Sequence, residues 1–209
     1  MRVLVVDDHA VVREGLKRVL ARMEGPVHVG EAANASEALK LVRESSWDCA
    51  LVDIAMPGKT GLELLRDLLR EQPDLPVLIL SMYPEEQYAV RTLRAGASGY
   101  LTKESAAEQL LVAINTILRG DKYLSPRMAT QIASAVSGPG GRAPHEDLSD
   151  REFMVLRLIS SGATAGEIAK RLSLSVKTVS TYRSRILRKL HLDNTAQLIA
   201  YAVKSGLVP

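Results

Sequence analysis

The feature that most constrains the fold is a regular alternation, over the first 120 residues, of short apolar runs and stretches with helical spacing. The runs predict strands at residues 3–6, 27–31, 49–52, 76–80 and 98–101. The stretches between them predict a helix on the stripe Val12, Leu16, Val19 and Leu20, and further helices at 35–44, 61–70, 85–95 and 105–118. Apolar runs of this length suit strands that are buried on both faces. We therefore expect an α/β doubly wound (βα)5 domain, with a parallel sheet and helices on both of its faces.

A different pattern follows residue 120. Four helices are predicted at 150–160, 165–171, 176–190 and 195–204, and the middle pair has the proportions of a helix-turn-helix. Between the two patterns, the glycine- and proline-rich sequence SGPGGRAP at 137–144 predicts a flexible linker. A short helix is predicted before it at 125–136, with Ser125 as its cap and Pro126 in its first turn. The expected domains are residues 1–121 and an all-α domain at 148–209, joined by a linker at 122–147.

The charge of the chain is unevenly distributed. Residues 1–120 carry 14 basic and 17 acidic side chains, a net charge of −3, whereas residues 146–209 carry 10 and 6, a net charge of +4. Residues 168–192 contain seven lysines and arginines and no acid. This asymmetry predicts two domains with different partners. The partner of the second, basic domain is predicted to be a polyanion.

Composition excludes several classes of protein. A single cysteine, Cys49, cannot form an intramolecular disulfide. No uncharged apolar run approaches the length of about 18 residues that a membrane-spanning helix needs. We expect a soluble cytoplasmic protein with no membrane partner.

The residues at the predicted strand ends are polar and chemically distinctive. Asp7 and Asp8 follow the first strand, Asp53 the third, Ser81 the fourth, and Lys103 comes shortly after the fifth. In a parallel sheet these ends meet at one edge, where three carboxylates would repel each other unless a cation entered. An all-oxygen group with room for water suits Mg²⁺, and a hydroxyl and an ammonium beside it complete a phosphoryl site. Because the chain has no lysine-containing nucleotide loop, the expected acceptor is a carboxylate, which would form an aspartyl phosphate.

These residues also have simpler interpretations. Taken singly, the aspartates are typical helix caps and turn formers, but their coincidence at several strand ends favours the chemical interpretation. Three other conspicuous residues are interpreted as structural. His9 belongs to a set of four histidines without metal-ligand spacing, Cys49 lies inside a buried strand, and Trp47 packs at a strand edge.

Residues 1–120 resemble the receiver domain of bacterial two-component response regulators. The resemblance rests on VVDDH at 5–9, LVDIAMPG at 51–58, Ser81, GASGY at 96–100 and Lys103. It implies a flavodoxin-like fold, a phosphoacceptor at Asp53, an active-site lysine at Lys103, and Mg²⁺ held by Asp8, Asp7, Asp53 and the backbone carbonyl of Ala55. It also implies that Ser81 and Tyr100 form a switch, in which the phosphate draws Ser81 inward and the Tyr100 ring follows. Tyr83 and Ala55 flank this pocket and are expected to influence how long the phosphate survives.

The predicted helix at 176–190 has two distinct faces. Val179, Tyr182, Ile186 and Leu190 form its apolar stripe, and the opposite face carries Lys177, Ser180, Thr181, Ser184 and Arg188. Small hydroxyl residues between lysines and arginines suit the major groove of DNA, since they permit close approach to base edges while the basic residues contact phosphates. A solvated basic helix in a packing domain is the alternative.

Residues 148–209 resemble the LuxR-type helix-turn-helix of NarL/FixJ regulators. The resemblance rests on LSDRE at 148–152, Leu156, GAT at 162–164, EIA at 167–169, Leu172, SVKTV at 175–179 and RKL at 188–190. It implies base contacts by Ser180, Thr181 and Ser184, and backbone contacts by Lys177, Thr178, Arg183 and Arg188. One departure is that hydroxyls occupy base-facing positions where several members of the family carry lysine.

Together the two resemblances predict a phosphorylation-controlled transcription regulator whose donor is the phosphohistidine of a sensor histidine kinase. We expect it to lose its own aspartyl phosphate slowly and not to be a turnover enzyme. An aspartate-phosphate hydrolase is disfavoured because Ala55 stands where an Asp-x-Asp pattern needs its second acid. A phosphorylation-independent DNA-binding module with a non-functional receiver is the remaining alternative.

The second domain is also expected to form a homodimer on double-stranded DNA. One helix-turn-helix contacts too few base pairs for genomic specificity, so two half-sites are predicted. We expect the unphosphorylated chain to be mostly monomeric, with the receiver hindering the recognition helix. Phosphorylation is expected to release that helix and to dimerise the chain. The helix at 195–204 has spare apolar surface. Tyr201 is predicted to be its exposed contact residue, with packing inside the domain as the alternative.

Overall fold

Five parallel strands form the sheet of the first part of the chain. They are β1 (Arg2–Val6), β2 (His28–Ala32), β3 (Cys49–Asp53), β4 (Val77–Ser81) and β5 (Gly99–Thr102), in the order β2-β1-β3-β4-β5. This computed structural model describes residues 1–130 and 143–207, without the side chains of residues 86 and 87. The doubly wound (βα)5 fold predicted from the sequence is confirmed. The order of connection reverses between β1 and β3, and the carboxyl ends of these two strands lie side by side.

The strands extend further than their apolar runs. Asp53 pairs with Leu80, and Ser81 pairs with Thr102, so the polar residues at these strand ends still belong to the ladder. The predicted third and fourth strands stopped one residue too early because hydrophobicity marks burial, whereas pairing continues to the edge of the sheet. The ladder therefore fixes the backbone of Asp53 and Ser81.

Five helices connect and cover the strands. They are α1 (Ala10–Leu20), α2 (Ala35–Glu44), α3 (Gly61–Glu71), α4 (Glu85–Arg94) and α5 (Ala106–Leu118). α2 begins where the Asn34 side chain accepts a hydrogen bond from the Glu37 amide. α3 begins with a reciprocal capping box between Thr60 and Glu63. These caps fix the points at which the chain leaves the edge of the sheet.

The core of this part is aliphatic. One cluster joins side chains of the inner strands, such as Val5, Leu51 and Leu78, to Leu16 of α1 and Ile114 of α5. All of them are almost fully buried. Burial on this scale stabilises by roughly 25 cal/mol for each Å² of apolar surface removed from water, so the sheet is a rigid support for the residues at its edge.

After α5 the chain follows the outer edge of β5. The Tyr123 amide donates to the Ser98 carbonyl at 2.8 Å, and Tyr123 forms an isolated parallel bridge with Gly99. Ser125 then accepts from the Met128 amide and hydrogen-bonds Glu85 at the start of α4. Residues 126–130 are helical, which agrees with the start of the helix predicted at 125–136. The rest of that helix, and the glycine-rich stretch as far as residue 142, lie outside the described residues.

The second part of the chain is helical, as predicted. A 3₁₀ helix (Pro144–Asp147) precedes α6 (Asp150–Ser160), α7 (Ala165–Arg171), α8 (Val176–Leu190) and α9 (Thr195–Lys204). The bounds of α6 to α9 are those predicted, because each helix follows a residue whose side chain accepts from a backbone amide three positions on: Ser149, Thr164, Ser175 and Asn194. α7 and α8 form the predicted helix-turn-helix.

The chain divides into two compact units, Met1–Gly138 and Pro139–Pro209. Among residues 1–130 and 143–207, no helix is long and apolar enough to cross a lipid bilayer.

Candidate phosphoryl site and nucleic-acid interface

A buried group of charges lies at the carboxyl edge of the sheet. The Lys103 ammonium is 2.6 Å from Asp7 Oδ2 and 3.0 Å from Asp53 Oδ2. Asp7 and Asp53 are 1% and 2% exposed. The Lys103 amide also donates to the Ser81 carbonyl at 2.8 Å. The loop after β5 thus places Lys103 between the ends of β1 and β3.

The charges of this group are strongly interdependent. Burial raises the pKa of Asp53, the nearby Lys103 charge opposes that rise, and the Asp7 carboxylate adds to it. For Lys103, burial favours the neutral amine, but attraction to Asp53 and the hydrogen bond to Asp7 outweigh it and raise its pKa. A second positive charge would lower the energy of both carboxylates, because one ammonium cannot balance three acids.

Four side chains are arranged so that they could hold such a cation. Asp7, Asp8, His9 and Asp53 each offer a ligand atom, and these atoms lie within 4.8 Å of one another. Asp8 Oδ1 and Asp53 Oδ1 are both buried; Asp53 Oδ1 accepts no hydrogen bond from the described residues, and Asp8 Oδ1 has His9 Nδ1 2.9 Å away. Buried carboxylate oxygens without donors are suited to a hard cation that prefers oxygen ligands, such as Mg²⁺. The amide of Ala55 adds a small stabilising effect on the Asp53 carboxylate.

Two further residues lie at this site, of which one was interpreted as structural from the sequence and the other was not indicated by it. His9, interpreted from the sequence as structural, lies with its Nδ1 2.9 Å from Asp8 Oδ1 and offers a possible ligand atom beside the three acids. Gly61 lies against the backbone of β3, where an added Cβ would be 2.1 Å from the Asp53 carbonyl oxygen. The VVDDH motif contains His9. Nothing in the sequence pattern identifies Gly61 as a residue that packs against the backbone of Asp53.

Ser81 and Tyr100 are connected through one residue. The Tyr83 amide donates to Ser81 Oγ at 3.0 Å, and the Tyr100 hydroxyl donates to the Tyr83 carbonyl at 2.7 Å. Ser81 and Tyr100 are both fully buried. A group that drew the Ser81 hydroxyl away would remove one support of Tyr83, and with it the position of the Tyr100 acceptor. Ser81 and Tyr100 are therefore linked through their hydrogen bonds to Tyr83.

In the second unit, α8 presents the face predicted from the sequence. Val179, Ile186 and Leu190 are buried, and Tyr182 is half-buried. The predicted DNA-contacting residues that are exposed are Lys177, Thr181, Arg183, Ser184 and Arg188, while Thr178 and Ser180 are half-buried. α8 carries no acidic residue. Its solvent face is therefore positive along its whole length, with small side chains between the basic ones.

Tyr201 is not the exposed aromatic residue that was predicted. It is half-buried, its hydroxyl lies 2.9 Å from His145 Nδ1, and it accepts from the His145 amide at 3.2 Å. The 3₁₀ helix that carries His145 gave no recognisable sequence pattern, so its contact with α9 was missed. The large apolar residues of α9 that are exposed are Ile199 and Val203.

The fold and these two sites define a class of protein: a receiver-like domain with a candidate phosphoryl site, joined to a helix-turn-helix domain. Residues 3–115 match the family model of the response regulator receiver domain. Residues 146–202 match that of the bacterial regulatory proteins of the luxR family. The chain belongs to the NarL/FixJ-type response regulators, which are transcription regulators with a LuxR-type DNA-binding domain.

Similar proteins cover the chain from end to end. It is 41% identical over 209 residues to the response regulator GacA of Pseudomonas aeruginosa, covering 100% of this chain and 98% of that protein. It is 35% identical over 208 residues to the response regulator UvrY of Escherichia coli K12, with 99% and 95% covered. Among solved structures, RcsB of Salmonella enterica serovar Typhimurium, bound to promoter rprA with the phosphomimetic BeF3−, has a TM-score of 0.64 and 27% identity, with 96% and 97% covered.

Proposed function

We propose that a sensor histidine kinase phosphorylates this protein on Asp53, and that the phosphate controls its binding to DNA. The observation that carries the proposal is the surroundings of Asp53: a buried carboxylate with an oxygen that accepts no hydrogen bond from the described residues, 3.0 Å from a lysine and beside two further acids. A nucleophilic carboxylate needs such positive neighbours, because its charge and that of the incoming phosphoryl group repel.

The transfer itself is a simple exchange of bonds. Asp53 Oδ1 attacks the phosphorus of a phosphohistidine, the bond between phosphorus and the imidazole nitrogen breaks, and that nitrogen takes up a proton from water. Lys103 and Ser81 hold the phosphoryl oxygens during and after the transfer. Mg²⁺, held by Asp7, Asp8, Asp53 and the Ala55 carbonyl, would supply the remaining positive charge. The acyl phosphate is afterwards lost slowly by hydrolysis.

The phosphate would act on the rest of the domain through Ser81. Its oxygens accept a hydrogen bond from the Ser81 hydroxyl and draw Ser81 Oγ away from the Tyr83 amide, which donates to it in this structure. Tyr100 changes position once Tyr83 is no longer held. Tyr83 and Ala55, at the rim, then tune the access of water to the phosphate.

In the second domain, α8 enters the major groove of double-stranded DNA. Ser180, Thr181 and Ser184 contact bases, and Lys177, Thr178, Arg183 and Arg188 contact phosphates. A dimer forms on two half-sites after phosphorylation, with the exposed apolar residues Ile199 and Val203 of α9 in the contact. The receiver comprises residues 1–121, the linker 122–147 and the DNA-binding domain 148–209. Because its DNA partner lies in the bacterial cytoplasm, we propose that the protein works there.

The test is stable labelling of the full-length chain by acetyl phosphate with Mg²⁺, measured by intact mass. We expect one phosphoryl group per chain, none on Asp53→Asn, and full labelling of Asp74→Asn, which alters an exposed acid of the same domain. Label on the Asp53→Asn protein, mapped to another residue, would overturn the site. Donor turnover without retained label would indicate a hydrolase, and the absence of both would indicate a non-functional receiver.

A further inference from the structure

We propose that α8 reads its DNA site with hydroxyl oxygens that accept hydrogen bonds, so that Thr181 and Ser184 select bases whose amino group lies in the major groove. Those bases are adenine and cytosine. The inference rests on the proposed role of α8 as the reading helix, and it names which base edges this particular helix recognises.

The hydroxyl hydrogens of both residues are already used within the helix. Thr181 Oγ1 donates to the Lys177 carbonyl at 3.0 Å, and Ser184 Oγ donates to the Ser180 carbonyl at 3.1 Å. Each bond runs to the residue four positions earlier, a common arrangement for serine and threonine in helices. A hydroxyl has one hydrogen and two lone pairs, so what remains free on each oxygen is its ability to accept.

The free lone pairs face away from the helix. Thr181 and Ser184 are three positions apart, are both exposed and lie on the face opposite the buried Val179 and Ile186. A hydroxyl hydrogen that points back to a helix carbonyl leaves the lone pairs on the opposite, solvent side. In the groove, those lone pairs would meet the base edges.

Base edges differ in what they offer to an acceptor. In the major groove, adenine and cytosine present an amino group, whereas guanine presents two acceptors and thymine one acceptor and a methyl group. An outward oxygen therefore pairs with adenine or cytosine and repels the guanine edge. A lysine at the same position would do the reverse, because an ammonium only donates. Ser180 is the internal contrast, since its hydroxyl has no hydrogen bond among the described residues and can both donate and accept.

The experiment removes single groups from the DNA. The full-length protein first selects a duplex from a random library. The DNA positions at which Thr181→Val or Ser184→Ala changes the base preference are then identified. At each of these, adenine is replaced by purine, which lacks the amino group, or by 7-deazaadenine, which lacks the N7 acceptor. Cytosine is replaced by 2-pyrimidinone, which lacks its amino group, and any guanine by 7-deazaguanine.

Loss of the amino group should weaken binding by roughly 5- to 100-fold at these positions, and the 7-deaza bases should have little effect. The amino-group effect should disappear in the Thr181→Val or Ser184→Ala protein that lacks the corresponding oxygen. Sensitivity to the 7-deaza bases instead would show that the hydroxyls donate, and would overturn the inference while leaving α8 as the reader. If neither variant alters affinity at any position, the inference and the proposed base contacts both fail.

Discussion

Replacing Gly61 with alanine should damage both the stability of the receiver domain and its phosphorylation. An added Cβ would lie 2.1 Å from the Asp53 carbonyl oxygen and 2.8 Å from the Ile54 Cα. Both are backbone atoms, so neither can move aside as the end of a flexible side chain would. α3 or the end of β3 would have to shift by roughly 1 Å to restore an ordinary contact.

The magnitude follows from the rigidity of the neighbours. Overpacking a well-packed core costs about 1–3 kcal/mol. We expect the upper end, ~3 kcal/mol, since the capping box of Thr60 and Glu63 holds α3 in place and Leu62 beside Gly61 is fully buried. A displacement of about 1 Å at the Asp53 carboxylate should slow phosphorylation on the order of 100-fold.

The assay is urea unfolding of the full-length chain, followed by the fluorescence of Trp47. This is the only tryptophan of the sequence, and it reports on the first domain. Gly15→Ala is the matched control, because an added Cβ at Gly15 meets no atom within 4 Å. In a helix interior it should stabilise by about 0.5–1 kcal/mol. The reasoning is refuted if Gly61→Ala unfolds at the parental urea concentration and is labelled by acetyl phosphate at the parental rate.

Arg188→Ala should weaken binding to every DNA sequence and lower the salt slope by about one unit in titrations at several salt concentrations, because one phosphate contact is lost. Val203→Asp should prevent the rise in molar mass on phosphorylation, measured by light scattering, because it puts a charge on the exposed apolar surface of α9. Tyr201→Phe should leave that rise intact and lower the stability of the second domain by about 1 kcal/mol in thermal unfolding, since the hydroxyl bonds His145. Lys189→Met should cost about 1 kcal/mol at neutral pH and little in acid. Burial raises the pKa of Glu152, but hydrogen bonds from Lys189 and the Ser149 amide outweigh it and lower the pKa. That stabilisation is present above the ordinary glutamate pKa and is lost as the pH falls through the lowered value, which unfolding at several pH values measures.

The parts of the fold that sequence predicts well are those with a local cause. The helices α6 to α9 are capped by side chains that hydrogen-bond the amide three positions on, namely those of Ser149, Thr164, Ser175 and Asn194. The starts of these helices therefore follow from a few adjacent residues of the sequence. The acidic edge follows almost as directly, because a strand that ends in Asp53 within a parallel sheet can only deliver it to one edge.

The parts that were missed depend on contacts between distant segments. Tyr201 was predicted to be exposed because it does not belong to the apolar stripe by which α9 faces the core. His145, 56 positions earlier in the chain, contacts it in the structure. The bridge between Tyr123 and Gly99 is of the same kind: no local pattern shows that the chain will follow the β5 edge after α5. Hydrophobic periodicity identifies a buried face but not which segment covers it.

The contacts around Ser81 also limit what phosphorylation can do by itself. Moving a population from 1:99 to 99:1 requires about 5.5 kcal/mol of differential stabilisation. A hydrogen bond from Ser81 to a charged phosphate contributes about 1.5–3 kcal/mol, and the lost Tyr83 bond at 3.0 Å takes back about 1 kcal/mol. The net is about 0.5–2 kcal/mol, or roughly a 2- to 30-fold shift. The remainder must come from contacts that exist only in the active form, and a second copy bound through α9 on a shared DNA site is their natural source. Control of transcription by this protein is therefore expected to depend on its concentration as well as on its phosphorylation.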